Sequence, residues 1–154
     1  MLFRSLPVRD YHFNEAKLFY YSDSNKPLSG KVDWLWASFY SGDRTELTAS
    51  VQFRPHYKFI ANVSLERNDI VLPEGAFKTN LAGLQLDYSF SPKMFLNSFI
   101  QYNSEADTLS SNIRFRIIHR PLSDIYVVYN DSRDFERKLN DRSLTFKYTR
   151  LFSF

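Results

Sequence analysis

The feature that most restricts what this chain can become is a two-residue alternation of apolar and polar side chains, running from about residue 15 to the end without a convincing 3.6-residue stripe. Residues at i and i+2 of an extended strand share a face, so such a pattern requires strands with one apolar and one polar side. The alternation is clear in Leu47, Ala49, Val51 and Phe53 against Glu46, Thr48, Ser50 and Gln52. It continues in Tyr57, Phe59, Ala61, Val63 and Leu65 against Lys58, Asn62, Ser64 and Glu66, with Ile60 as an exception. Ala82, Leu84, Leu86, Tyr88 and Phe90 alternate with Gly83, Gln85, Asp87 and Ser89, and Ile113, Phe115 and Ile117 with Asn112, Arg114 and Arg116. Adjacent inward arginines are poor tenants of a dry core.

The pattern predicts strands over 15–22, 29–41, 44–54, 57–69, 76–90, 93–103, 109–119, 123–131 and 142–154. Several exceed the roughly five or six residues usual in soluble sheets and approach the nine to eleven that cross a bilayer at a tilt. Ser41-Gly42-Asp43-Arg44 predicts a two-residue hairpin turn on Gly-Asp, setting Trp36 opposite Ala49 and Trp34 opposite Val51. Arg54-Pro55-His56 predicts a turn that sets Phe53 against Tyr57 and Val51 against Phe59. Ser91-Pro92-Lys93 predicts one that sets Tyr88 against Leu96 and Asp87 against Asn97. Every hairpin joins like faces.

The expected fold is therefore all-β, an antiparallel transmembrane β-barrel built as an up-and-down meander of eight or nine visible strands within a larger barrel. Connections at 23–28, 54–56, 91–92 and 120–122 are short, and those at 70–75, 104–108 and 132–141 are longer and polar, with Gly42-Asp43 the exception. Barrels place short turns in the periplasm and long loops outside. On that assignment residues 1–14 are an extracellular loop or truncated leader, and 15–154 are the C-terminal strands of an outer-membrane barrel. Nine strands is an odd count, which predicts either a fragment or eight strands (29–131 and 142–154) closing with residues 1–28 outside. The start, Met1-Leu2-Phe3-Arg4-Ser5-Leu6-Pro7, lacks the features of a secretory signal, which favours the fragment.

Composition narrows the function classes. With 15 Phe, 10 Tyr and two Trp but 24% charged residues, the chain is aromatic and polar together, as alternating lipid-facing and water-facing positions require. A net charge of +3, evenly scattered, excludes a nucleic-acid footprint, although a pI near 9.1 is high for such a barrel. The absence of Cys removes disulfides, thiolate metal sites and cysteine nucleophiles.

The last segment, Lys147-Tyr148-Thr149-Arg150-Leu151-Phe152-Ser153-Phe154, resembles the C-terminal insertion signal read by the barrel-assembly machinery, with Lys147, Phe152 and Phe154 at its key places and Thr149 where glycine is usual. Asp23-Ser24-Asn25-Lys26-Pro27-Leu28-Ser29-Gly30, Phe39-Tyr40-Ser41-Gly42-Asp43-Arg44, Phe99-Ile100-Gln101-Tyr102-Asn103-Ser104 and Arg120-Pro121-Leu122-Ser123-Asp124 with Val128-Tyr129-Asn130 resemble one family. That family is a set of outer-membrane barrel proteins of unknown function, whose full-length members carry an N-terminal module similar to carbohydrate-binding family nine. The likeness covers roughly residues 8–154. It implies an outer-membrane barrel in contact with lipid, an upstream saccharide-binding part, and a porin-like or surface-anchoring role in carbohydrate binding or uptake. It brings no catalytic residues. A hydrolase-bearing barrel and a soluble β-sandwich that buries the Leu47, Val51 and Phe53 face are the competing expectations.

Candidate sites follow from the two faces. Inward charges Asp33, Glu46, Glu66 and Asp87, against Lys31, Lys58, Arg114, Arg116 and Lys147, would line a water-filled lumen. Trp34, Tyr40, Tyr57, Tyr88, Tyr102 and Tyr129 are placed as interfacial girdle aromatics, and Trp36 nearer mid-membrane. His12, His56 and His119 lack metal-ligand spacing, and no nucleophile elbow or phosphate loop occurs, so no catalytic, metal or cofactor site is expected.

Overall fold

The computed structural model describes residues 14–39, 42–73 and 75–151. Nine strands and no helix occur among them: β1 (Glu15–Tyr21), β2 (Leu28–Phe39), β3 (Gly42–His56), β4 (Phe59–Leu72), β5 (Gly75–Ser91), β6 (Met94–Asn103), β7 (Thr108–Arg120), β8 (Ser123–Asp134) and β9 (Leu139–Thr149). They form one antiparallel meander in sequence order. The sheet is open, with β1 and β9 as its edges. β1 takes the free side of β2, from Glu15 opposite Ala37 to Tyr21 opposite Lys31. β1 thus occupies the side of β2 that an eight-strand closure with residues 1–28 outside would leave for the last strand.

The faces match the alternation, while two registers differ from the sequence reading. Trp36 lies opposite Thr45 and Trp34 opposite Leu47, because Phe39 pairs with Gly42 and Ser38 with Asp43, so that Gly42 and Asp43 belong to β3. A Cβ on Gly42 would run into the carbonyl oxygen of Val71, so this glycine serves a close backbone approach to β4 and not the turn. The β3–β4 turn falls on Tyr57 and Lys58, with Phe53 opposite Ala61 and Val51 opposite Val63. Pro55 sits at a bulge between Phe53 and His56, one of the few places in a sheet that tolerates a missing N–H. Both slips are even, so each side chain keeps its face. At β5–β6 the register is the expected one, Tyr88 opposite Leu96 and Asp87 opposite Asn97.

The longer polar connections also shrink. Leu72 pairs with Gly75 and Asp134 with Leu139, so most of 70–75 and 132–141 is ladder. Backbone pairing continues past the point where the outward side chains turn polar.

No apolar side chain is buried among the described residues. Leu47, Val51 and Phe53 are 39%, 51% and 47% exposed, so the second layer that a sandwich needs is not formed over them. The polar side of β3 is the better covered one: Arg44, Glu46, Thr48, Ser50 and Gln52 are all half-buried.

Candidate functional site

Two surfaces matter, one per face. On the apolar face, outward runs over 28–36, 82–90, 94–102 and 109–117 are broken only by Gly30, Ser98 and Ser111. The run descends across the sheet from β9 to β2, staying level over β5, β6 and β7. The paired row that carries Leu144, the top of the run on β9, passes through Tyr129, Ile113, Ser98, Leu86, Ala61 and Phe53 to Leu28, its bottom on β2. Taken from end to end, that descent averages about one residue per strand. At a rise of ~3.3 Å and a strand spacing of ~4.8 Å it places the strands about 35–40° from the normal to the apolar band, and a nine-residue run then spans about 23 Å of height.

Outward charges gather beyond the band at the end away from the Tyr57–Lys58 turn. Arg67 pairs with Asp69 at 3.0 Å, and Asp131 with Arg133 at 2.9 Å and Arg142 at 3.6 Å. Aromatics sit at the margins. Trp34, Tyr102 and Tyr129 lie at the charged margin and Tyr88 at the other, where its ring meets Phe90 edge-on at 4.7 Å. Trp36 lies above Trp34, so it belongs to the margin and not to the middle of the band. Tyr57 is a turn residue, 79% exposed and against the His56 ring at 4.2 Å, and Lys58 beside it is likewise off the strand walls. Tyr40, Phe152, Phe154 and His12 lie outside the described residues.

The polar face carries Lys31, Asp33, Glu46, Glu66, Asp87, Arg114, Arg116 and Lys147. It is hollowed. A depression of about 570 Å³ is lined by Tyr21, Lys31, Gln52, Asn62, Gln85 and Asp87 with several serines, and a smaller one by Asn112, Asn130 and Ser143. Some of its charges are matched as ion pairs: Glu15 with Lys17, Arg44 with Glu46, and Arg116 with Asp124 at 2.9 Å. Arg116 also lies 5.4 Å over the Tyr126 ring. Others are held by neutral donors. The Tyr21 hydroxyl donates to Asp33, Asn68 to Glu66 at 3.2 Å, and Gln85 and Asn97 to Asp87 at 2.8 and 2.7 Å. Asn112 donates to Asn130, and Asn130 to Ser143 at 3.1 Å, a cross-strand amide ladder. Sequence reasoning singled out the charges and missed most of this ladder, although its members share the inward parity of their strands.

His56 and His119 stand at the ends of β3 and β7, and among the described residues neither hydrogen-bonds a carboxylate. No group of metal-ligating side chains occurs among the described residues. No protein-family model matches the chain, and no similar curated protein is found.

Proposed function

We propose that this sheet is part of the wall of a bacterial outer-membrane β-barrel, with its apolar face against lipid and its polar face lining an aqueous path for passive passage of small polar solutes. The observation that carries this reading is the inverted coverage of the two faces of β3, with exposed Leu47, Val51 and Phe53 backed by half-buried polar neighbours. Leaving such a surface in water forgoes about 1.5–3 kcal/mol for each large apolar side chain that could be covered, whereas lipid covers it. The band height of about 23 Å and the tilt of about 35–40° agree with the dimensions of bilayer-spanning barrels. Charges and aromatics at the band margins agree with an interface between lipid and headgroups. The resemblance to barrel proteins bearing a module similar to carbohydrate-binding family nine makes saccharides the first solutes to try.

The test has two stages. Expressed in a Gram-negative host, the protein should sediment with outer membranes and resist alkaline extraction. Reconstituted in liposomes, it should allow osmotic swelling with small saccharides and exclude large ones. Recovery in the soluble fraction would sink the membrane reading. Stable insertion without swelling would leave an anchoring barrel.

A further inference from the structure

At one place on the polar face an acid and a base share a cross-strand row without neutralising each other. Asp87 on β5, Asn97 on β6 and Arg114 on β7 form a single cross-strand row. They line a depression of about 290 Å³ together with Gln85, Asn112 and Phe99. Among the described residues Asp87 accepts only from the amides of Gln85 and Asn97, at 2.8 and 2.7 Å, so its negative charge is held in position but not cancelled. Among the described residues Arg114 makes no ion pair. Two strand spacings separate the acid from the base, about 10 Å between backbones, and with no ion pair between the two the depression that both line can hold a guest.

We infer that this depression binds small zwitterions, with the guest's ammonium toward Asp87 and its carboxylate toward Arg114. A guanidinium grips a carboxylate by two parallel hydrogen bonds, whereas a compact ammonium suits a single carboxylate oxygen. The Asn97 and Asn112 amides supply further donors and acceptors, and the ring of Phe99, 44% exposed, offers an apolar surface to the methylenes between the two charges. Gln85 and Asp87 also line the larger depression, so the site opens onto the rest of the polar face. A singly charged guest satisfies one end and leaves the other exposed, which is the basis for preferring a guest that carries both charges. The site stands on the polar face alone and does not depend on whether the sheet encloses a channel.

The probe is γ-aminobutyrate, with acetate and ethylammonium as the half-molecules, observed by saturation-transfer NMR on the detergent-solubilised full chain. Transfer to γ-aminobutyrate should exceed that to either half-molecule and fall severalfold in Asp87→Asn and in Arg114→Gln. The exchanged double variant, Asp87→Arg with Arg114→Asp, should recover transfer with the guest reversed, which a merely structural role for either residue would not produce. Undiminished transfer in either single variant, or equal transfer to the half-molecules, would overturn the site. Because the readout is binding, a failure here leaves saccharide swelling unaffected, and an absence of swelling leaves this test intact.

Discussion

At the scale of the residue, two backbone positions carry costs that substitution should reveal. Leu122 follows Pro121 in the two-residue β7–β8 turn and has φ 58°, a left-handed conformation that disfavours a branched side chain. Leu122→Gly should therefore stabilise by up to about 1 kcal/mol, seen as a higher urea midpoint for the lipid-reconstituted protein. A lower midpoint would mean that the Leu122 side chain contributes more than its backbone costs. Gly42 is the converse. Any Cβ there meets the Val71 carbonyl, so Gly42→Ala should lower the midpoint, whereas at Gly83 an added Cβ meets the rotatable Ser64 hydroxyl, 2.6 Å away, and Gly83→Ala should do less. The sequence displayed Gly42 plainly and misled about its purpose. A glycine beside an aspartate suits a hairpin turn, and the demand made by the far end of the next strand, β4, is invisible in local spacing.

At the scale of the element, the two faces of one strand should respond differently to the same substitution. Val63 and Asn62 are neighbours on β4, the first on the apolar face and 51% exposed, the second lining the large depression. In a bilayer Val63→Arg should cost about 2–4 kcal/mol and Asn62→Arg about 0–1, measured by denaturant-driven unfolding from vesicles. If the chain lives in water, the exposed Val63→Arg should be nearly neutral, within about 0.5 kcal/mol. This contrast follows from parity, and parity is the part of the fold that the sequence made legible. Strand positions and faces could be read because alternation reports them directly. Register could be read only at Pro92, where the turn residues and the pairing agree; at Pro55 a bulge absorbed the proline, and an even slip left the pattern unchanged. The polar extensions of β4, β5, β8 and β9 were unreadable for a related reason, since outward polar side chains look like loop while their backbones go on pairing. The inward charges were legible as positions, but the amide ladder among Asn112, Asn130 and Ser143 depends on cross-strand neighbours that only register supplies.

At the scale of the molecule, the strand count governs closure. In a meander of nine, β1 and β9 run in the same direction, so they cannot join as an antiparallel pair. The proposed barrel therefore needs an odd number of further strands between these edges. A chain carrying Leu18→Cys on β1 and Phe146→Cys on β9 should remain uncrosslinked in oxidised membranes, because the two sites are then separated by that additional wall. An intrachain disulfide would show instead that the sheet closes on itself through a parallel seam.

Every ladder in the sheet joins strands that are consecutive in the chain. The molecule is in this respect a zipper with one track. Pulled by a terminus it would come apart from that end in order, each hairpin bearing load only after its predecessor has let go, with no crossing connection to make distant strands yield together. An insertion or deletion of one hairpin disturbs only the two seams that it meets, so walls of this kind can change circumference by whole hairpins while the remaining pairings stay as they were.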